Sequence, residues 1–132
     1  MTAKTGTNVT LECFVAKKRQ NDPAVWYKQS VGQNPLVVGL AQPPLPYVLY
    51  NEFNNSRFFI HNGFVSFSLS ISNIQSSDEA FYFCGVRIVY EIHFGNGTYL
   101  LVKGTLSTHI TCISIYFCYL YHWNIVMILK LH

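Results

Sequence analysis

Apolar and polar residues alternate over much of the first 104 positions, with the period of two that is typical of a β-strand with one buried face. The clearest case is residues 65–72, where Val, Phe, Leu and Ile alternate with serines. Residues 9–13 repeat the pattern, and short apolar runs occupy 57–60, 80–86 and 98–102. Because no stretch before residue 105 has a helical period, the pattern predicts a protein built from short strands.

Turn-forming residues separate these strands. Asn-Asp-Pro occupies 21–23, Gly-Gln-Asn-Pro occupies 32–35 and Asn-Gly occupies 62–63. Many short strands with regular turns predict an all-β sandwich or barrel. The chain of 132 residues has room for one domain with a sizeable core. We therefore expect one domain in residues 1–104, followed by a separate apolar tail in residues 105–132.

Composition and motifs narrow the function classes. Only 11% of the residues are charged, the net charge is +3, and the basic residues are scattered apart from 17–19, which is unlike a nucleic-acid surface. No glycine-rich phosphate loop or carboxylate pair stands out, and His61 and His93 lie near no nucleophile motif. We expect no catalytic residues, no cofactor and no metal site.

Cysteine, tryptophan, aspartate and tyrosine residues occur at spacings that are typical of one protein family. Trp26 follows Cys13 by 13 residues, Tyr82 precedes Cys84 by two, and Asp78 precedes Tyr82 by four. The motifs "LECF", "VWYKQ", "RFFI", "LSISNIQSSDEAFYFC" and "FGNGTYLLV" accompany them. From about residue 5 to residue 103, the chain resembles an immunoglobulin variable-type (V-set) domain of the antigen-receptor kind. The sequence of these motifs is most similar to that of the novel immune-type receptors of bony fish, and next to that of a T-cell receptor alpha-like variable chain.

The resemblance implies a two-sheet Greek-key sandwich with a disulfide between Cys13 and Cys84. Such a bond needs an oxidising compartment, and the family works on the extracellular side of the plasma membrane. An ion pair between Arg57 and Asp78 would close one end of the sandwich and contribute about 0–1 kcal/mol, unless bidentate geometry improves it. The implied structural core residues are Trp26, Tyr82, Arg57 and Asp78.

The two glycines of "FGNGTYLLV", Gly95 and Gly97, are expected to form a β-bulge in the last strand. The nine residues Gly85–His93 before them would bow outward as the third hypervariable loop, and the first hypervariable loop lies between Cys13 and Trp26. The open alternatives are a plain hairpin without a recognition role and a solvated first loop. The expected ligand-binding residues are Lys17, Lys18, Arg19, Asn21, Asp22, Arg87, Val89, Tyr90 and Glu91.

Alternation also places a set of apolar side chains on the outer face of one sheet. The resemblance implies that this face pairs two variable domains, as a homodimer or a heterodimer, and that Gln29 bonds across the interface. In the alternative, the tail or nothing covers it. The expected pairing residues are Tyr27, Gln29, Pro35, Phe83 and Phe94.

Three sequons for N-glycosylation occur, at Asn8, Asn54 and Asn96. Asn8 and Asn54 are the candidates, and Asn54 is favoured. Asn96 is disfavoured because it lies in the expected bulge, where a glycan would crowd the pairing face.

Residues 110–129 form a mostly apolar run of a length that just spans a bilayer as a helix. Polar residues inside the run make insertion marginal, so a membrane span and a non-native extension past the joining-like strand are both open. The tail also holds four potential zinc ligands, His109, Cys112, Cys118 and His122, at spacings that resemble no common zinc finger. The start of the chain lacks the apolar core of a signal peptide, so we expect either an N-terminal strand that is cut short or a missing leader.

Together these patterns predict a cell-surface immune recognition domain that binds a protein ligand through its loops and performs no catalysis. The alternatives are a T-cell receptor alpha-like variable chain in antigen recognition, a structural or adhesion module, and a truncated product without a function of its own.

Overall fold

The computed structural model describes residues 1–64, 66–104, 109–114, 117–122 and 125–130, with side chains described up to residue 104. Val65, which the alternation places in a strand, lies outside the described residues. The chain divides into two compact units, Met1–Val102 and Lys103–His132, and each is described by itself.

The first unit consists of two β-sheets, in agreement with the strands and the sandwich that the sequence predicts. The larger sheet has the order β1-β10-β8-β3-β4-β5, with β9 pairing β8, and the smaller sheet has the order β2-β7-β6. Two short 3-10 turns, Asn51–Phe53 and Ser76–Asp78, connect strands. The strands are β1 (Thr2–Lys4), β2 (Val9–Phe14), β3 (Ala24–Gln29), β4 (Leu36–Ala41), β5 (Val48–Leu49), β6 (Phe58–Asn62), β7 (Ser66–Ile71), β8 (Ala80–Ile88), β9 (Glu91–Phe94) and β10 (Thr98–Lys103).

The core lies between the two sheets, where alternate side chains of facing strands meet. Trp26 of β3 stacks on Phe67 of β7 with ring centroids 5.8 Å apart. Cys13 of β2 and Cys84 of β8 form the predicted disulfide, with Cα atoms 6.2 Å apart. Because this bond closes a loop of 71 residues, its removal is expected to cost about 2–5 kcal/mol.

The ion pair at one end of the sandwich is stronger than a surface pair. Asp78 is 1% exposed and accepts bonds from Nη1 and Nη2 of Arg57 at 2.8 and 3.0 Å. It also accepts the backbone N–H of Gln75 at 2.8 Å, and the hydrogen bond to Asp78 raises the pKa of Arg57. Because the pair is buried and bidentate, its contribution to stability is expected to exceed the 0–1 kcal/mol of an exposed ion pair.

Two further groups complete that end of the sandwich. The Tyr82 hydroxyl donates to the Asp78 carbonyl at 2.6 Å, a contact known as a tyrosine corner. Burial raises the pKa of Tyr82. Lys28, inside the "VWYKQ" motif, points inward and donates from Nζ to the Ser77 carbonyl at 2.7 Å. Burial lowers the pKa of Lys28. The alternation implies this inward direction, but a buried lysine was not expected from its residue type.

The second unit contains a three-stranded antiparallel sheet of β11 (His109–Ser114), β12 (Phe117–His122) and β13 (Ile125–Lys130). The described part of the run 110–129 is therefore strand and not the single helix considered above. Among the described residues, no helix is long and apolar enough to cross a bilayer. No cluster of metal ligands occurs among the described side chains, and the four tail residues considered as zinc ligands have side chains outside that part.

Candidate recognition site

The third-loop region is a paired hairpin and does not bow outward. Gly85 pairs with Phe94, and the ladder continues to Ile88 opposite Glu91. Only Val89 and Tyr90 are left to form the turn. The expectation of a nine-residue outward loop was wrong because the backbone groups of both halves satisfy each other up to the tip.

The tip combines an exposed aromatic side chain with a strained backbone. Tyr90 is 97% exposed. Val89 has φ +57°, a conformation that a two-residue hairpin turn demands and that a β-branched residue rarely adopts. The only other non-glycine residues with positive φ in the described chain are Asn51 and Asn73, whose type tolerates it. Strain of about 1–3 kcal/mol at such a residue is typical of functional sites.

Contacts at its base hold the hairpin in place. The backbone N–H of Arg87 donates to the Pro23 carbonyl at 2.9 Å, which ties β8 to the turn that ends the first loop. Along β9, Glu91 Oε2 and His93 Nε2 lie 3.2 Å apart. Arg87, Tyr90 and Glu91 are all exposed, so the end of the hairpin offers a cation, an aromatic ring and an anion side by side.

The first loop divides into structural and exposed residues. Lys18 is 3% exposed, and its Nζ donates to the carbonyls of Arg19 and Gly63 at 3.1 and 3.0 Å and to Asn62 Oδ1. Burial lowers the pKa of Lys18, and the charge of Asp22 opposes that effect. A contact with a ligand was the wrong expectation for Lys18, because its ammonium ties this loop to the turn after β6.

Asp22 is also structural. It is buried, and its carboxylate accepts the backbone N–H of Arg19 at 2.8 Å and lies 3.4 Å from Nη2 of the same residue. The expectation of a ligand contact was therefore wrong for Asp22 as well. The other three first-loop candidates, Lys17, Arg19 and Asn21, are exposed. Exposed Phe64 and residues 18–22 line a cleft of about 560 Å³.

The strand registers on either side of Gly95 and Gly97 show the predicted bulge. Three steps along β8 lead from Gly85 to Tyr82, whereas four steps on the partner side lead from Phe94 to Thr98. One extra residue on that side is the definition of a β-bulge. The backbone N–H of Gly95 donates to the Cys84 carbonyl at 3.1 Å, so the chain stays attached to β8 as it bends.

Each glycine of the bulge has its own steric reason. A Cβ on Gly95 would lie 2.7 and 2.8 Å from the sulfur atoms of Cys84 and Cys13. A Cβ on Gly97 would lie within the ring of Phe81, at 1.9 Å from its terminal carbon. Neither residue has positive φ. Close approach, and not backbone conformation, therefore explains both glycines: the neighbours of Gly95 are fixed sulfur atoms, whereas the neighbour of Gly97 is a partly exposed ring.

The predicted pairing residues come together on the outer face of the larger sheet. The rings of Tyr27 and Phe83 stack with centroids 5.0 Å apart, and the ring centroids of Phe83 and Phe94 are 6.2 Å apart. Phe94 is 62% exposed. We call this surface the outer apolar face. It holds a cleft of about 390 Å³ lined by Gln29, Phe81, Phe83, Phe94, Gly95 and Gly97. A second cleft of about 530 Å³ is lined by Val25, Tyr27, Pro35, Leu36, Val37, Leu40, Tyr50 and Asn51.

Comparison with known proteins decides the family. Residues 1–103 match the model of the immunoglobulin V-set domain. The chain belongs to the immunoglobulin V-set family. This V-set domain is 28% identical over 105 residues to Ig kappa chain V region 2717 of Oryctolagus cuniculus, covering 79% of this chain and 91% of that one. It is 33% identical over 111 residues to T cell receptor alpha chain MC.7.G5 of Homo sapiens, covering 81% of this chain and 39% of that one.

A solved structure shows the same fold. Its subject is the structural basis of T cell specificity and activation by the bacterial superantigen toxic shock syndrome toxin-1. The TM-score is 0.68 at 22% identity, covering 77% of this chain and 91% of that one. The V-set domain is thus homologous to antigen-receptor variable chains, which implies immune recognition and binding without enzymatic activity. The predicted family, sandwich fold and non-enzymatic class are confirmed.

Gln29 was expected to bond across a domain interface, but its side chain already has a partner within this chain. Its Nε2 donates to the Gln33 carbonyl of the same chain at 3.1 Å. The turn after β3 therefore already uses the amide that was expected to bond across an interface. Three exposed members of the face were missed from the sequence: Leu36, Val37 and Tyr50. Leu36 and Val37 directly follow the predicted pairing residue Pro35 in the stretch "PLVV".

Proposed function

We propose that this V-set domain recognises a protein ligand on the extracellular side of the plasma membrane, with the β8–β9 hairpin as its main contact. The observation that carries the proposal is Tyr90, an almost fully exposed aromatic residue at the tip of a hairpin that is paired up to the turn. Tyrosine supplies a large amphipathic contact area at low entropy cost, which suits a recognition loop.

The neighbouring first loop extends this contact surface. The bond from Arg87 to Pro23 places the hairpin beside the end of that loop. Lys17 and Arg19 are exposed there, and Arg87 is exposed on the hairpin. A surface with this charge favours a ligand that presents acidic side chains.

The outer apolar face supports pairing with another variable-type domain. Exposed apolar patches of this kind mark interaction surfaces, and the two clefts provide depressions for side chains of a partner. The likeness to a T cell receptor alpha chain favours a second candidate function, a variable chain that recognises antigen as one half of a heterodimer. Membrane association through residues 110–129 and glycosylation at Asn8 and Asn54 stay predictions.

Alanine variants of the hairpin test ligand recognition. The chain is displayed as a soluble multimer and tested against a panel of purified cell-surface ectodomains. Replacing Arg87, Tyr90 and Glu91 together by alanine should abolish binding to any hit while the melting temperature stays unchanged. Glu12→Ala, on the exposed face of the smaller sheet, is the matched control and should bind normally. Equal binding by the triple variant would show that the hairpin is not the contact.

Charge insertion tests pairing. Phe94→Asp places a carboxylate in the outer apolar face and should convert a dimer into a monomer without loss of folding. Sedimentation of the chain alone, and of its mixtures with related variable domains, measures this. If all samples, prepared without N-linked glycans, are monomeric at high concentration before the substitution, the pairing function is wrong.

A further inference from the structure

We propose that Asn96 carries an N-linked glycan that covers the edge of the outer apolar face and excludes a pairing partner from it. The second half of the proposal rests on the proposed pairing function, and the first half does not. Asn96-Gly97-Thr98 is a complete acceptor sequon. The sequence disfavoured Asn96 because a glycan there would crowd the pairing face. We propose that this crowding is the role of the glycan.

The structure leaves the Asn96 amide accessible. Asn96 is exposed and lies between β9 and β10, in the segment 95–97 that has no strand pairing of its own. No hydrogen bond of its side chain occurs among the described residues. Two glycines flank it, so no neighbouring side chain on the main chain crowds the approach of a transferring enzyme. The extra residue of a bulge thus serves as a presented acceptor.

The other two sequons differ in their surroundings. The Asn8 Oδ1 accepts the Asn73 backbone N–H at 3.0 Å, and Thr10 of that sequon shares a hydrogen bond with Ser70 at 3.0 Å. Asn54 is exposed after the turn Asn51–Phe53, on a different edge of the sandwich. Because no residue near Asn54 lines the 390 Å³ cleft, a glycan there should leave that cleft open, which makes Asn54 the matched control site.

The position of Asn96 relative to the aromatic cleft predicts what a glycan would do. Both neighbours, Gly95 and Gly97, line the 390 Å³ cleft together with Phe81, Phe83 and Phe94. A bulky, water-soluble oligosaccharide attached between them stands at the rim of that cleft. A lone domain that exposes Phe94 carries an aggregation liability, and a hydrated glycan at this rim reduces it. The same bulk blocks a second domain from the same aromatic side chains.

Secretion of the whole chain from eukaryotic cells, behind a signal peptide, tests the first half. Enzymatic deglycosylation in heavy-oxygen water marks each occupied asparagine as labelled aspartate in peptide mapping. We expect label at Asn96 in most molecules, and its loss in Thr98→Val, which keeps a β-branched residue in β10. Thr98→Ser retains the sequon and should keep the label. An unlabelled Asn96 in a secreted, folded chain overturns the proposal and leaves the pairing function untouched.

Sedimentation of the same samples tests the second half. The glycosylated chain should be monomeric at concentrations at which Thr98→Val and Asn96→Gln form dimers, and Asn54→Gln should behave as the unaltered chain. If the glycosylated chain also dimerises through Phe94, exclusion is overturned although pairing stands. If Asn96 is occupied and the unglycosylated variants stay monomeric with every tested partner, both exclusion and the pairing function are overturned.

Discussion

Replacing Gly95 by alanine is the sharpest test of how the last strand is fitted to the core. The added methyl carbon would meet two sulfur atoms at 2.7 and 2.8 Å, distances that real Cβ atoms do not show. The sulfurs belong to the disulfide between Cys13 and Cys84, which is buried and held by both sheets. They cannot swing aside, so the backbone of the bulge has to move.

The magnitude follows from two opposing effects. Overpacking a core costs about 1–3 kcal/mol. Alanine also restricts the unfolded chain, which stabilises the folded state by about 0.4–1 kcal/mol where the backbone conformation suits it. The Gly95 backbone has no positive φ, so this gain applies. We expect a net loss of about 1–2 kcal/mol in the free energy of unfolding, or roughly 5–10 °C in Tm for a domain of this size.

Gly97→Ala is the matched control. Its methyl carbon would meet the ring of Phe81, but that side chain is 37% exposed and can rotate toward solvent. The cost and the entropy gain then nearly cancel, and the stability should stay within about 1 kcal/mol of the unaltered chain.

Thermal unfolding followed by circular dichroism measures both variants, after thiol titration has shown that the disulfide is intact. A Gly95→Ala chain as stable as the unaltered one, or a Gly97→Ala chain that is the less stable of the two, would refute the steric argument.

Three further predictions concern the rest of the domain. Asp78→Ala leaves the Arg57 guanidinium without its buried partner and should lower the free energy of unfolding, measured with urea, by about 3–5 kcal/mol. A loss below about 1 kcal/mol would mean that the pair contributes no more than an exposed salt bridge. Val89→Asn puts a residue that tolerates positive φ at the hairpin turn and should raise stability by about 1 kcal/mol, whereas a lower Tm would mean that valine is not strained there. Ending the chain after Lys103 should leave a soluble domain with the same cooperative unfolding, since the first compact unit has its own core; loss of folding in calorimetry would show that the sandwich needs the tail.

Features that depend on side-chain period and on paired motifs were predictable from sequence. The alternation around Cys13 and Cys84 requires both to face inward, and the spacing of Trp26 and Tyr82 relates them to one family. The bulge followed from two glycines in a strand, because a strand interior otherwise disfavours glycine. These features rest on local rules that hold in any sandwich of this kind.

Features that depend on which polar group finds which partner were not predictable. Lys18 has the residue type of an exposed loop residue, and only the folded chain brings three acceptors to its ammonium. Gln29 likewise meets Gln33 through the geometry of a turn. The third loop was expected to bow outward because the resemblance implies a hypervariable loop there, and Val89 disfavours the tight turn that the structure forms. Tertiary pairing of β8 with β9 overrides that local preference.

The two-residue turn at Val89 and Tyr90 also affects the thermodynamics of any complex that the hairpin forms. A loop that must order on binding loses conformational entropy, about 0.5–1.5 kcal/mol for each immobilised flexible side chain and more for backbone. Here the ladder has already fixed the backbone during folding. Association should therefore proceed as rigid-body docking, with a heat-capacity change that reflects the surface buried in the interface and no contribution from coupled folding.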